Sequence, residues 1–282
     1  MKKAFQKDEA LLKDIRSSQG DKEQFRIWWL GQSGYLLQWQ GKHLLIDPYL
    51  SDSLTKKYAN TDKPHIRITE RVIAPDKLDF IDIVSSSHNH TDHLDAETLI
   101  PLRAVNPKLS FVIPEANRAF VCNRLACEKE YPIGLNEGQK IELGSFSFTG
   151  IPAAHNELER DEAGNCKFMG YVIQFGPWTV YHSGDTLWRE EILEALEPFR
   201  IDIALLPING NKPERRVAGN LNAEEAVQLG LKNHIALIFP CHYDMFSFNT
   251  ADPDEFAQIA DNLGQSYRIL RNGEGWSGIK AN

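Results

Sequence analysis

A hexapeptide rich in metal-binding side chains constrains this chain more than any other part of its sequence. It runs from His88 to His93 and reads His-Asn-His-Thr-Asp-His, and imidazole and carboxylate groups are common ligands of zinc, manganese and iron. The apolar residues 81–84 before it predict a short buried strand, which puts the hexapeptide in the loop at the strand's carboxyl end. On a regular strand His88 and His90 would share a face and His93 would point away, whereas a loop lets them converge. We therefore predict metal binding by these three histidines and Asp92, and the alternative is a loop of solvated polar side chains.

Three further candidate ligands follow predicted strands. His155, Asp185 and His242 each come shortly after an apolar segment of the length and pattern of a strand. Functional side chains gather at the carboxyl ends of strands in sheets that are flanked by helices. Taken singly, each residue fits a hydrogen-bonded polar group at a strand end as well as it fits a metal ligand. Their shared position predicts that they join the hexapeptide at one site.

The remaining pattern predicts sheets flanked by helices. Three strands joined by tight turns open the main part of the chain, and β/α alternation follows in both halves. We predict an N-terminal helical extension over residues 1–24 and one domain over residues 25–282, with an irregular loop at 56–71. Strands are predicted over residues 25–30, 35–39, 43–47, 81–84, 109–113, 140–151, 168–175, 179–182, 201–206, 235–239 and 267–270, and helices over 8–17, 95–102, 115–127, 190–196, 223–231 and 253–263.

Composition and charge disfavour several classes of protein. The 282 residues carry a formal net charge of −8, which argues against general affinity for nucleic acid. The sequence lacks the run of roughly 18 apolar residues that predicts a membrane-spanning helix, and its charged beginning lacks the apolar core of a signal peptide. The four cysteines form no C-x-x-C pair and are too few for a disulfide framework. We expect a cytoplasmic protein without a membrane partner.

The hexapeptide is similar to the His-x-His-x-Asp-His signature of the metallo-β-lactamase superfamily, and the later candidate ligands match that superfamily's later motifs in order. The resemblance covers about residues 25–275. It implies an α/β fold of the four-layer αββα sandwich type, with the site at one edge of two facing sheets. It also implies two divalent metal ions, zinc or manganese. The ligands that it implies are His88, His90 and His155 for one ion, Asp92, His93 and His242 for the other, and Asp185 as a bridge between them.

Within that superfamily the chain most resembles the ascorbate-phosphate lactonase group. This resemblance implies a small anionic substrate, such as a sugar-phosphate lactone, and a homo-oligomer. The stretches that carry it are residues 28–31 (Trp-Trp-Leu-Gly), 81–84 (Ile-Asp-Ile-Val), 181–185 (Tyr-His-Ser-Gly-Asp), 201–205 (Ile-Asp-Ile-Ala-Leu) and 251–253 (Ala-Asp-Pro).

The expected chemistry is hydrolysis of a small ester, lactone or phosphoester by a metal-activated hydroxide, because two cations lower the pKa of a bound water from ~15.7 toward neutrality. Asp92 is the candidate proton carrier, since it would also hold the metal. Asp47 is a candidate hydrogen-bond partner for a ligand histidine, or else an aspartate that forms a turn before proline. His182 and Tyr243 are candidate catalytic side chains beside the ligands, and the alternative for both is a buried place in the core.

A basic cluster of Lys212, Arg215 and Arg216 lies in a loop rich in glycine and asparagine between two of the candidate ligands. Such a loop can approach a ligand closely, and guanidinium groups bind phosphate or carboxylate with two parallel hydrogen bonds. We predict that the cluster binds an anionic group of the substrate. The alternative is a solvated loop.

Other functions fit the same ligands less well. The short interval between Asp185 and His242 leaves no room for the inserted domain of the RNA-processing nucleases, although a phosphodiesterase remains an alternative. A secreted β-lactamase would need a signal peptide, and a glyoxalase-type thioesterase would need a longer C-terminal region. A metal sensor would be expected to have lost a ligand, and a di-iron redox protein would be expected to carry a flavin domain and more carboxylates.

Overall fold

The computed structural model, which describes residues 1–18, 20 and 22–280, arranges thirteen strands in two sheets and seven α-helices around them. The strands are β1 (Gln24–Gly31), β2 (Gly34–Trp39), β3 (Lys42–Ile46), β4 (Ile83–Ser85), β5 (Ser110–Pro114), β6 (Pro132–Leu135), β7 (Lys140–Leu143), β8 (Phe146–Pro152), β9 (Met169–Phe175), β10 (Trp178–His182), β11 (Ile203–Pro207), β12 (Leu237–Cys241) and β13 (Gly275–Ile279). The helices are α1 (Asp8–Ser17), α2 (Ser53–Lys57), α3 (Ala96–Val105), α4 (Arg118–Leu125), α5 (Glu190–Leu196), α6 (Ala223–Lys232) and α7 (Pro253–Leu263).

Each sheet joins an antiparallel half to a parallel half. The first sheet has the order β13-β1-β2-β3-β4-β5-β6, antiparallel from β13 to β3 and parallel from β3 to β6. The second has the order β12-β11-β10-β9-β8-β7, parallel from β12 to β10 and antiparallel from there to β7. Parallel neighbours need crossover connections, and helices supply most of them.

Strand β1 shows why the first sheet is covered on both faces. Ile27 and Trp29 pack into the larger apolar cluster, which the two sheets share, whereas Trp28 and Leu30 pack into a second cluster. Successive side chains of a strand point to opposite faces, so an uninterrupted apolar run needs cover on both. Burial of each such side chain contributes about 1.5–3 kcal/mol.

Helices supply that cover and complete a four-layer α/β sandwich. Leu11 and Ile15 of α1, Leu99 of α3 and Val121 of α4 belong to the second cluster, on the outer face of the first sheet. The helix predicted over residues 8–17 is therefore confirmed, and it is part of the core of the protein. On the second sheet, α6 packs against β11, β12 and α7. None of the helices in the described residues is long and apolar enough to cross a membrane.

The ends of two helices follow directly from local sequence. The Asn222 side chain accepts a hydrogen bond from the Glu225 backbone N–H at 2.9 Å, and the Glu225 carboxylate accepts one from the Asn222 N–H at 2.8 Å. This capping box begins α6. Helix α7 begins after Asp252, whose side chain accepts from the Asp254 N–H, and ends at Gly264 in the left-handed conformation.

Most predicted elements are confirmed, two predicted strands are corrected, and three elements were missed. Residues 140–151 form a hairpin, β7 and β8, because Gly144 has a φ of +60° and turns the chain. The predicted strand over 267–270 is reduced to one bridge, between Tyr267 and Ile238. The sequence prediction missed α2, β6 and β13. Strand β13 reads Gly-Trp-Ser-Gly-Ile, with too few strand-favouring side chains to be recognised without its partner β1.

His43 makes the stability of this fold dependent on pH. Its ring is buried beside Phe80, with the ring centres 4.8 Å apart, and burial lowers its pKa to about 4 against the opposing charge of Asp82. Because the unfolded histidine has a pKa near 6.5, the unfolded chain takes up the proton first as the pH falls. The stabilisation is complete above pH ~6.5 and is lost between pH ~6.5 and ~4.

We expect His43→Phe, which keeps a ring against Phe80 but cannot titrate, to weaken this dependence. Between pH 7.5 and 5.0 the wild-type free energy of unfolding should fall by about 2 kcal/mol more than that of the variant. Urea denaturation at the two pH values measures the free energy of unfolding of the wild-type protein and of the variant. Equal losses in the two proteins would contradict the assignment to His43.

Candidate metal centre

The candidate ligands occupy loops at one common edge of the two sheets. In the first sheet the hexapeptide follows β4, and Asp47 follows the neighbouring parallel strand β3. In the second sheet His155 follows β8, Asp185 follows β10 and His242 follows β12. Strands β10, β11 and β12 are parallel, so the loops of Asp185 and His242 leave the sheet on the same side. The fold therefore gathers residues that are far apart in sequence.

The seven side chains come together in three overlapping groups, each with ligand atoms within 4.8 Å of one another, and each group could hold a metal ion. The Asp185 carboxylate lies between them: its Oδ2 is 3.3 Å from His93 Nε2 and 3.5 Å from His155 Nε2 and from His242 Nε2. The groups are His88, His90 and His155; His88, His93 and Asp185; and Asp92, His93 and His242.

Three of the histidines are held through one ring nitrogen, which leaves the other free to bind. His93 Nδ1 donates to Asp47 Oδ2 at 2.6 Å, and His155 Nδ1 donates to the Gly219 carbonyl at 2.7 Å. His88 Nδ1 lies 3.0 Å from the Ser87 hydroxyl. A partner on one nitrogen fixes the ring orientation and directs the other nitrogen, Nε2, into the cluster.

Several of the inward atoms are buried and lack any hydrogen-bond partner among the described residues. They include His88 Nε2, His93 Nε2 and Asp185 Oδ1. A buried polar atom without a partner costs roughly 1–3 kcal/mol. A divalent cation bound by these lone pairs would remove that cost, so the donor set fits a metal ion such as zinc or manganese.

The electrostatic potential at the cluster also favours a cation. Burial lowers the pKa of His93, but the carboxylates of Asp185, Asp92 and Asp47 outweigh burial and hold that pKa well above its ordinary value. Burial would raise the pKa of Asp92, yet the adjacent His93 keeps it below its usual range. The pKa of Asp185 is likewise held well below its usual range by His93 and His242 against burial, so Asp92 and Asp185 stay ionised and concentrate negative charge at one point.

The histidines on the other side of the cluster are neutral at neutral pH. Burial lowers the pKa of His90 to about 4 and that of His88 well below its ordinary value. Burial also lowers the pKa of His155, against the charge of Asp185. Metal ions bind the neutral imidazole, so these three ligands need to release no proton at neutral pH.

A cavity of about 400 Å³ opens directly over the ligands. Its walls come from α2 and the residues after it, from α4, from residues 217–218 and from Asn249. Three cationic side chains line it: Lys57, Lys63 and Arg124. Arg124 also donates to the carbonyls of Asn89 and Leu94, at 2.8 and 2.9 Å, and so fixes the hexapeptide loop at both ends.

Sequence reasoning missed two residues at this site. The Gln32 side chain, 3% exposed, places its amide nitrogen 2.9 Å from Asp92 Oδ2 and 2.9 Å from His242 Nε2. His65 lines the cavity, and its Nδ1 donates to the Lys63 carbonyl at 2.8 Å. Gln32 is a polar residue in a turn between two apolar strands, which is a weak signal. His65 lies in a segment that was predicted only to be an irregular loop.

Two predicted catalytic side chains lie away from the cavity. The Tyr243 hydroxyl donates to the Leu270 carbonyl at 2.5 Å, and its ring stacks on Trp29 with the centres 4.4 Å apart. His182 is 1% exposed, with Nε2 3.3 Å from the Ser33 carbonyl. Neither lines the cavity, and both side chains are buried, although His182 Nε2 also lies 3.9 Å from Asp47 Oδ2. The catalytic roles of His182 and Tyr243 stay predictions. The Asp47 carboxylate, in contrast, accepts a hydrogen bond from His93, one of the candidate ligands.

The side chains of Lys212, Arg215 and Arg216 do not line the cavity, although residues 217–218 of the same loop do. The Arg215 guanidinium donates to the carbonyls of Asn209 and Thr250 and to the Asn249 side chain. Arg216 forms an ion pair with Asp62, and both side chains are about two-thirds exposed. Arg215 is therefore occupied within the protein and Arg216 pairs at the surface, and the anion clamp of Lys212, Arg215 and Arg216 stays a prediction.

Comparison with known proteins agrees with this geometry. A family profile described as a β-lactamase superfamily domain matches residues 42–243. A UPF0173 metal-dependent hydrolase from Archaeoglobus fulgidus is 30% identical over 257 residues, which are 89% of this chain and 98% of the relative. A second from Methanosarcina mazei is 30% identical over 241 residues, which are 84% of this chain and 90% of the relative.

Solved structures share the fold. A metallo hydrolase from Ignicoccus hospitalis aligns with a TM-score of 0.66 and 22% identity, over 92% of this chain and 100% of that one. An isothiocyanate hydrolase from Delia radicum gut bacteria aligns with a TM-score of 0.71 and 19% identity, over 90% of this chain and 100% of that one. At these identities the likeness establishes the αββα sandwich and nothing about the substrate.

We expect the Asp47→Asn variant to bind metal about 10- to 100-fold more weakly than the wild-type protein, because the carboxylate orients His93 and strengthens it as a ligand. Asparagine has the same shape and tolerates the left-handed φ of +41° at this position. Calorimetric titration of metal-stripped protein with Zn²⁺ measures the affinity. Asp82→Asn is the matched control. The Asp82 carboxylate accepts a hydrogen bond from the His43 N–H at the start of β3, at the opposite end of that strand from Asp47. Unchanged affinity in Asp47→Asn would remove the role assigned to this carboxylate.

Proposed function

This chain belongs to the β-lactamase superfamily and is a metal-dependent hydrolase, and we propose on that premise that it uses a two-ion centre to cleave a small anionic ester, lactone or phosphoester. One observation carries the proposal. Seven buried or half-buried ligand side chains form overlapping groups around Asp185, beneath a cavity lined by cationic side chains. This arrangement supports two ions that share one carboxylate.

The residues divide into two half-sites. His88, His90 and His155 would hold one ion, which we call the three-histidine half-site. Asp92, His93 and His242 would hold the other, which we call the Asp92 half-site, and Asp185 would contact both ions. Zinc or manganese bound there would supply a water of lowered pKa and would polarise the carbonyl or phosphoryl oxygen of the substrate.

Asp92 is the side chain best placed to move a proton. Its side chain is 16% exposed and lines the cavity, whereas the Asp185 side chain is 3% exposed. The low pKa of Asp92, which follows from the adjacent His93, keeps it ionised and able to accept a proton at neutral pH. A general base must lie within hydrogen-bonding reach of the reacting groups, and Asp92 is the more exposed of the two carboxylates that line the cavity.

The charge of the cavity supports an anionic substrate. Lys57, Lys63 and Arg124 line it, and Asp92 and Asp185, the carboxylates that line it, would be neutralised by bound metal. Cationic walls attract an anion in a protein that is acidic overall. The size of the cavity, about 400 Å³, suits a metabolite-sized molecule. A phosphorylated sugar lactone has both the anionic group and the electrophilic carbonyl.

We expect Asp92→Asn to lower kcat by about 100-fold with little change in KM, because asparagine keeps the shape but cannot accept the proton. The assay uses the best substrate from a panel of lactones, esters and phosphodiesters, with metal content measured on the same samples. Asp62→Asn, a rim carboxylate paired with Arg216, is the control and should keep wild-type kcat. A near-normal kcat in Asp92→Asn with two ions bound would exclude Asp92 as the proton carrier. Loading that never exceeds one ion per chain would overturn the two-ion centre.

We expect Lys57→Gln and Lys63→Gln each to lower kcat/KM by about tenfold for an anionic substrate, equivalent to about 1.4 kcal/mol. The substrate pair is a sugar lactone with and without its phosphate group. Lys56→Gln is the control, since Lys56 pairs with Glu97 at 2.8 Å and lies outside the cavity lining. If neither variant reduces the preference for the phosphorylated lactone, these lysines do not recognise the anion.

A further inference from the structure

Gln32 is a buried polar residue whose place in the fold is not explained by the structure of the turn alone. It follows β1 and adopts a left-handed φ of +52°, which is uncommon for a residue other than glycine or asparagine. Its carbonyl accepts from Trp29 Nε1 at 3.0 Å and from the His242 N–H at 3.1 Å. These two bonds fix the backbone, so the side chain is directed into the metal centre.

The Gln32 amide meets the atoms that would bind metal. Its nitrogen lies 2.9 Å from Asp92 Oδ2, and it lies 2.9 Å from Nε2 and 3.3 Å from Nδ1 of His242. It therefore donates to the carboxylate and lies beside the His242 ring, off the axis of the Nε2 lone pair. Asp92 Oδ2 is also the oxygen that lies 3.6 Å from His93 Nε2 and 3.7 Å from His242 Nε2. The amide therefore lies inside the Asp92 half-site, hydrogen-bonded to one of its three ligands and in contact with the ring of a second.

This position differs from that of a group that supports a ligand from outside. Asp47 contacts His93 through Nδ1, and the Gly219 carbonyl contacts His155 through Nδ1, so both leave Nε2 for the metal. Gln32 instead donates to Asp92 Oδ2, an oxygen that an ion in this half-site would need, and its amide lies against the His242 ring. In the described residues, no side-chain amide is hydrogen-bonded to His88, His90 or His155, so the two half-sites are unequal.

We propose that Gln32 competes with metal for the Asp92 half-site and makes this ion the weaker-bound and exchangeable one. Entry of an ion requires the amide to give up its bond to Asp92 and to move away from the His242 ring. The three-histidine half-site has no such competitor and fills first. The inference rests on the two-ion centre proposed above.

The test compares the two binding steps in the wild-type protein and in Gln32→Asn. Asparagine tolerates the left-handed conformation, and its side chain is one methylene shorter, so its amide is withdrawn from Asp92 and His242. Metal-stripped protein is titrated with Zn²⁺ by calorimetry and with Co²⁺ by visible absorption, which reports each cobalt environment. We expect the second step to tighten by about tenfold, equivalent to about 1.4 kcal/mol, and the first step to stay within a factor of two.

Gln38→Asn is the matched control. Gln38 is a buried glutamine of β2 whose amide donates to the Ser18 carbonyl at 3.2 Å, far from the ligands in the same sheet. It should change the free energy of unfolding without changing either metal-binding step. Gln32→Gly is a second variant, since glycine accepts the same backbone conformation and removes the amide completely.

The outcomes separate this inference from the proposal beneath it. A tighter second step in Gln32→Asn and Gln32→Gly supports competition. Two binding steps whose second affinity is unchanged or weaker in both variants overturn it, and a weaker second step would make Gln32 a supporting group. A single ion in the wild-type protein and both variants, at all metal concentrations, would instead overturn the two-ion centre.

Discussion

The edge of the first sheet that carries the candidate ligands depends on the hydrogen bonds of one buried carboxylate, that of Asp47. An unpaired charge at a fully buried position would cost several kcal/mol, but this one accepts hydrogen bonds from the Ser87 N–H at 2.7 Å, the Ser87 hydroxyl at 2.5 Å and His93 Nδ1 at 2.6 Å. These bonds join the loop after β3 to the loop after β4. The second sheet reaches the same point at Gly184, where a Cβ would lie only 2.7 Å from the Ser87 Cβ. A side chain there would push the Asp185 loop away.

This network explains why the centre is both rigid and electrostatically unbalanced. Asp47, Asp92 and Asp185 surround His93 closely enough to hold its pKa well above the ordinary value despite complete burial. Like charges at such short range repel one another unless a cation lies between them. A metal ion would take that place, and the free energy of its binding would add to the free energy of folding because the unfolded chain has no such cluster. Stability and metal binding are therefore linked through the same residues.

The sequence predicted most of the strands and helices and all seven candidate ligands, because both depend on local patterns: apolar periodicity, and polar residues placed just after strands. It could not predict which way a side chain points at a strand end. Tyr243 neighbours His242 but turns toward Leu270 and Trp29. Nor could it show that the Arg215 guanidinium is occupied by hydrogen bonds to Asn249 and Thr250, which belong to a distant loop. The cations that do line the cavity belong to α2, to an irregular segment and to α4, and only the tertiary structure brings them to the metal centre.

Backbone conformation at the centre opposes the preferences of the residues that adopt it. Gln32, Asp47 and His242 all have left-handed φ values, of +52°, +41° and +66°. Such conformations cost of order 1 kcal/mol or more in residues other than glycine and persist only where the surroundings enforce them. Here the enforcement is visible, since the His242 N–H donates to the Gln32 carbonyl and so ties the turn after β1 in one sheet to the loop after β12 in the other. Because that bond spans the two sheets, the Asp92 half-site can reach its geometry only after both sheets have packed together. A local sequence pattern cannot predict a contact between two sheets. The position of Gln32 at the candidate metal centre can therefore be recognised only in the folded structure.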